Sequence, residues 1–225
     1  MRKSLSGLAV CLSLLCLSPS SVHAGVGLKG GFSLSGLHSA TGDFRHVLGY
    51  EMDWLTMGNL AGFQIGMFQT FDVSRSLALQ PEVYLAVRGG ESTGEFEFDQ
   101  IVSRTEIRYL EFPVLLAYRV PLQRRLRPSL FLGPYGAVKL SAARQTVIRG
   151  REERIELENV NAVDYGVVVG GAVEHEMLSG QLVLDVRCSL GLKNAMRMPA
   201  GYIRLYDDED KIRNFAFSVM VGYRF

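Results

Sequence analysis

The twelve residues from Asn214 to Phe225, "NFAFSVMVGYRF", alternate in character at every step. Phe215, Phe217, Val219, Val221, Tyr223 and Phe225 make one row, and Asn214, Ala216, Ser218, Met220, Gly222 and Arg224 make the other. A β-strand places two such rows on opposite sides, so a period of two predicts a strand with unlike faces. Nothing in the chain after residue 24 carries a sustained helical period, and the same alternation recurs upstream.

Leu182, Leu184, Val186, Cys188, Leu190 and Leu192 oppose Gln181, Val183, Asp185, Arg187, Ser189 and Gly191, while Val163, Tyr165, Val167, Val169 and Val173 oppose Ala162, Asp164, Gly166, Val168, Gly170, Ala172 and Glu174. Earlier, Leu130, Leu132, Val138 and Leu140 face away from Ser129, Phe131, Gly133, Tyr135, Ala137 and Lys139; Leu110, Phe112, Val114, Leu116 and Tyr118 face away from Glu111, Pro113, Leu115, Ala117 and Arg119. Leu77, Leu79, Val83, Leu85 and Val87 oppose Ala78, Gln80, Glu82, Tyr84, Ala86 and Arg88, and Phe63, Ile65 and Met67 oppose Gly62, Gln64 and Gly66. The first strand, near Gly25 to Leu37, sets Val26, Leu28, Phe32 and Leu34 against Lys29, Gly31, Ser33 and Ser35. Eight strands result.

The connections alternate in length. Asp72–Ser76, Pro121–Pro128 and Glu176–Gly180 are short; His38–Asn59, Gly89–Ser103, Ala142–Val160 and Asn194–Ile212 are long and polar. Tight turns at one rim and long loops at the other are the pattern of outer-membrane barrels, with both chain ends on the short-turn, periplasmic side.

The two rows also fix the polarity. One is almost wholly Leu, Val, Phe and Tyr; the other mixes Gly, Ala and Ser with charges at mid-strand. Bulky apolar side chains suit lipid and small ones suit a narrow bore, so the expected fold is all-β, an eight-stranded antiparallel up-and-down transmembrane β-barrel. Its interior then carries Lys29, Arg88, Arg119, Lys139, Arg187 and Arg224 against Glu82, Glu111, Asp164, Glu174 and Asp185, six charges to five. Such near-balance predicts an ion-pair network that fills the lumen, because an unpaired buried ion is costly; a minor pore is the alternative. Val219→Arg is expected to be costly, and Ser218→Arg, which points inward, to behave differently. Tyr118, Tyr165, Tyr223 and Phe225 fall near strand ends, where an interfacial girdle places aromatics. The terminal Tyr223-x-Phe225 pattern also predicts a signal read by barrel-assembly machinery.

The first residues form a signal peptide: Arg2 and Lys3, an apolar run of ten residues from Leu8 to Leu17, then Pro19, serines and Val22-His23-Ala24. The run is far below the ~20 residues of a membrane-crossing helix, and cleavage is expected after Ala24, leaving residues 25–225 as one barrel domain. Val10 and Leu15, preceding Cys11 and Cys16, are too large for a lipoprotein site. Loss of Arg2 and Lys3 leaves 22 basic against 23 acidic side chains, which gives nucleic acid nothing to attract. One cysteine, Cys188, remains, so no internal disulfide forms.

The ordered pieces "GLKGGFSLSGL", "SLALQPEVYLAVRGG", "YLEFPVLLAY", "LFLGPYGAVKLSA", "DYGVVVGGAVE", "VLDVRCSLGLKNA" and "FSVMVGYRF" resemble the outer membrane protein β-barrel domain family, porin-like and related to small barrels of the OmpA and OmpX type. Cys188 stands where that family more often has an aromatic residue. The resemblance implies a Gram-negative outer-membrane location and a barrel architecture; it implies no particular reaction or ligand.

Chemistry-bearing constellations are sparse. His38 lies near Ser35, with Asp43 and Glu51 within reach in sequence, and this is the best candidate for a lipid-acting hydrolase; a solvated loop histidine is the simpler reading. His46 and His175 complete the histidines of the barrel domain. The acidic run Asp207–Asp210 lacks the spacing of a calcium loop, and no metal or cofactor is expected. Arg144, Arg149, Arg151 and Arg154 are candidates for contact with lipopolysaccharide phosphates. The expectation is therefore a monomeric, non-enzymatic membrane barrel whose partners are outer-membrane lipid and assembly machinery. A barrel enzyme acting on outer-membrane lipid and a soluble lipocalin-like periplasmic barrel are the alternatives.

Overall fold

The computed structural model describes residues 24–39, 56–96, 99–121, 125–148, 151–158, 160–177, 179–195 and 212–225. Its strands are β1 (Ala24–Ser39), β2 (Thr56–Asp72), β3 (Leu77–Phe96), β4 (Asp99–Arg119), β5 (Leu126–Ile148), β6 (Arg151–Glu156), β7 (Val163–Met177), β8 (Gly180–Gly191) and β9 (Ile212–Arg224). Of the expected leader, residues 1–24, all but Ala24 lie outside the described residues; Ala24 is the first residue of β1 and pairs with Phe71.

Each strand from β1 to β4 pairs antiparallel with its successor; β5 pairs with β7, β7 with β8, and β8 with β9. The circle closes where β9 meets β1, from Gly27 opposite Arg224 to Ser39 opposite Ile212. Eight strands thus form a closed up-and-down barrel, and β6 hangs outside it on β5 alone. Closure leaves no sheet edge in the hydrocarbon layer, where an unpaired backbone group has no water to turn to.

The rows face as an inside-out protein requires. Phe32 is 80% exposed and Leu130 64%, whereas Asp185 and Ser218 are fully enclosed. A soluble barrel would reverse these values. One residue departs from its expected row: Ala162 is exposed, because β7 begins only at Val163 and the preceding backbone has not yet entered the barrel wall.

Two expected loops are largely strand. Across Gly89–Ser103, β3 continues to Phe96 and β4 resumes at Asp99, with the pair Phe96–Asp99 closing the ladder. Across Ala142–Val160, β5 runs on to Ile148 and folds back as β6, Arg151 opposite Ile148. These extensions escaped the period-two reading because polar and charged residues stand on both rows there, so the apolar-out alternation fades while backbone pairing continues. At 20, 21 and 23 residues, β3, β4 and β5 are about twice the ~9–11 residues that cross a bilayer. Among the described residues the barrel therefore has a tall wall on one side and a low rim at β7 to β9.

Inside, aromatic rings lie over glycines of the next strand. A Cβ on Gly66 would stand 1.9 Å from the Val83 carbonyl oxygen and 2.6 Å from the Tyr84 ring, and one on Gly170 would stand 2.6 Å from the ring of Phe131. Gly136, on the lipid side, has nothing within 4 Å of that position. Gly66→Ala is accordingly expected to lower stability in vesicles by ~1–3 kcal/mol through overpacking, and Gly136→Ala to be neutral. Urea unfolding followed by tryptophan fluorescence checks the pair, and equal stability would contradict the ring-on-glycine packing.

Candidate functional site

The enclosed row brings four ions together at the centre of the bore. Lys29 Nζ, from β1, donates to Glu82 Oε1 at 2.9 Å and to Asp185 Oδ2 at 2.8 Å. Arg187 donates to Glu82 at 2.6 and 3.2 Å and to Asp185 at 2.9 and 2.6 Å. Gln80 Nε2 adds a donor to Glu82 at 2.6 Å. Two cations thus meet two carboxylates contributed by β1, β3 and β8, in side chains almost wholly removed from solvent. Alternation explains the inward aim: Glu82 and Gln80, like Asp185 and Arg187, are two residues apart on one strand.

Rings sandwich this quartet. Lys29 Nζ lies 4.4 Å from the centre of Phe68, and the Arg187 guanidinium lies 5.4 Å from Tyr84 and 5.1 Å from Phe131. Each ring offers its negative face to a cation in a dry setting, where that attraction is strongest. Counting on from Met67 would have placed Phe68 inside; its cationic neighbour was not readable from sequence.

Toward the outer end, Arg88 grips Glu111 by two hydrogen bonds of 2.9 Å, and its Nη2 also reaches Gln64 Oε1 at 3.4 Å. Asp164 is buried and meets neutral groups: Asn214 Nδ2 at 2.7 Å, Tyr135 hydroxyl at 3.4 Å and the Tyr165 backbone N–H at 2.8 Å. Lys139, expected in the ionic lumen, does not join it. Its Nζ instead donates to the Val160 carbonyl at 2.8 Å, because the segment before β7 folds over the outer mouth and presents that acceptor. There Val160 packs in one apolar cluster with Ile107 and Ala142.

At the end with the short turns, Arg224 grips Glu174 at 3.2 and 2.9 Å and also Gln181. Arg119 is likewise not part of the inner network. It pairs at 2.7 Å with the half-exposed Asp72 at the rim, since Arg119 is the last residue of β4 and Asp72 the last of β2, both at the end of the short turns. The cavity left among Lys29, Gln80, Arg119, Phe131 and Glu174 has room for about one water. Outside, Tyr118, Tyr165 and Phe225 are exposed, and Tyr223 meets Phe225 edge to face at 5.2 Å. Cys188 is a free thiol on the lipid-facing row of β8.

The remaining sequence candidates separate. Ser35 is buried, its Oγ accepting from the Gly89 N–H at 3.0 Å and donating to the Leu60 carbonyl at 3.3 Å, so backbone groups occupy the hydroxyl. His38 belongs to β1, whereas Asp43, His46, Glu51, Arg149 and Asp207–Asp210 lie outside the described residues. His175 stands near the end of β7, opposite Leu126 and Leu182. Arg144 approaches Thr105 at 3.4 Å, while Arg151 and Arg154 sit on exposed β6 among Glu152, Glu153 and Glu156.

A closed antiparallel barrel with an apolar jacket and an ionic, filled bore defines a class: the small integral β-barrels of outer membranes. The chain belongs to the outer membrane protein beta-barrel domain family, whose model matches residues 20–197. It is similar in fold to Ail, the attachment invasion locus protein of Yersinia pestis, solved with the heparin analogue sucrose octasulfate, at 13% identity, a TM-score of 0.42, and 90% of this chain and 99% of that one covered. Neisserial surface protein A is 11% identical, with a TM-score of 0.45 and the same coverage. OprG of Pseudomonas aeruginosa is 11% identical, with a TM-score of 0.43, over 90% of this chain and 96% of that one. No curated protein matches the chain.

Proposed function

We propose that this protein is a sealed outer-membrane barrel of structural and interaction type, which acts through what it presents at the cell surface and not through its lumen. The ion quartet carries this reading: Lys29, Glu82, Asp185 and Arg187 span the bore from opposing walls. An ion entering would have to part these pairs or squeeze between the rings that flank them. The tall wall of β3, β4 and β5, with β6 attached, supplies the presenting surface. Ser35, held by two backbone groups, offers no free nucleophile to a lipid-cleaving reaction.

In planar bilayers the purified barrel should give no unitary current steps at moderate voltage. Regular steps, lost on blocking the outer mouth, would overturn the sealed reading and favour a porin. Phe225, exposed at the end of β9 with its N–H bonded to the Val26 carbonyl at 2.9 Å, is the residue proposed for recognition by assembly machinery. Its deletion should lower the amount of barrel inserted in cells; normal insertion would remove that role.

A further inference from the structure

We infer that the low rim of the barrel holds a site for the phosphate of an outer-leaflet lipid headgroup, built from Lys193 and Arg213 beside Tyr165. The inference rests on the membrane placement proposed above and adds a ligand to one point of its circumference. Tyr165, Leu192 and Arg213 form a cross-strand row at the outer end of β7, β8 and β9. Leu192 N–H donates to the Tyr165 carbonyl at 2.9 Å, and two residues below, Leu190 pairs with Phe215 in the same register. Beneath this row the outward side chains are Val167, Leu190, Phe215 and Phe217, all exposed and all apolar. The row therefore stands where the hydrocarbon jacket ends and headgroups begin.

Two cations collect at that level. Lys193 Nζ lies 5.9 Å over the Tyr165 ring, a girdle tyrosine that is 51% exposed on the lipid side. Arg213 continues the outward row of Phe215 and Phe217, is half-buried, and has an Nε that is shielded from water and meets no acceptor. Among the described residues neither cation has a carboxylate partner. The arginines of β6 differ, being interleaved with Glu152, Glu153 and Glu156. A shielded guanidinium donor and an ammonium held on a ring, both above an apolar wall, fit a tetrahedral oxyanion whose acyl chains lie down that wall. A free phosphate ion would use the same donors without the chains. The acids Asp207–Asp210 lie outside the described residues.

The test is native mass spectrometry of the whole barrel in detergent, titrated with diphosphorylated lipid A, with dephosphorylated lipid A and with inorganic phosphate. The protein should retain the phosphorylated lipid about tenfold better than the dephosphorylated one, the size of one charge-assisted contact. Lys193→Gln with Arg213→Gln should abolish that preference while heat-dependent gel migration still reports a closed barrel; Lys193→Arg with Arg213→Lys should keep it. Equal retention of both lipids by the unaltered protein, or an unchanged preference in the double glutamine variant, overturns the site. Displacement of the lipid by equimolar inorganic phosphate overturns the lipid as its ligand. Failure of the unaltered chain to migrate as a barrel or to enter vesicles would instead refute the membrane placement, so the two failures are distinct.

Discussion

Glu82→Ala should destabilise the barrel by ~3–5 kcal/mol, the range for removing one partner from a buried ionic cluster. The loss exceeds that of one contact because Glu82 serves Lys29, Arg187 and Gln80 together. Without it, two cations share Asp185 alone in an enclosed space. Charge balance, more than contact number, sets the cost, so adding Lys29→Met should recover much of the loss by leaving Arg187 paired with Asp185. The exposed Arg104–Glu91 pair, bonded at 2.7 Å on the outer wall, should change stability by no more than about 1 kcal/mol when cut. Urea titration in vesicles measures all three. A Glu82→Ala barrel as stable as the unaltered one would show that the quartet does not hold the walls together.

Val219→Arg should cost ~2–4 kcal/mol if residue 219 lies near the bilayer midplane. Val219 points outward at mid-strand between Phe217 and Val221, and is 42% exposed to what surrounds the barrel. A guanidinium there must lie in hydrocarbon or drag water inward. The contrast with Ser218→Arg is narrower than inward orientation alone predicts. Ser218 is fully enclosed and stands opposite Arg187, so an arginine at 218 meets a filled lumen and a like charge. Lipid composition separates the two costs: that of Val219→Arg should fall in thinner bilayers, whereas that of Ser218→Arg should not. A Val219→Arg barrel indifferent to bilayer thickness would contradict the outward assignment.

The strands are legible in the sequence where the membrane imposes a rule at each position. Phe215, Phe217 and Val219 against Ala216, Ser218 and Met220 need no partner to be sorted, because backbone pleating alternates them whatever the neighbouring strand is. The strands cease to be legible where that rule stops. Thr93, Val102 and Val147 are good strand residues, yet their two segments looked like loops because polar residues stand on both rows and remove the alternating signal. Lys139 and Arg119 share the inward row of their strands but not its ions, since each stands at an end of the bore where a nearer partner is available.

Local sequence alone determined that the chain crosses a bilayer as alternating strands, with its greasy rows outward and the rows bearing the mid-strand ions enclosed. Only the closed tertiary structure decided that Lys29 meets Asp185, 156 residues away, and that Arg187 meets Glu82, 105 residues away. The physical reason is one of range. A side chain's face follows from its own strand, but its height and partner in the bore follow from the stagger accumulated over every strand between.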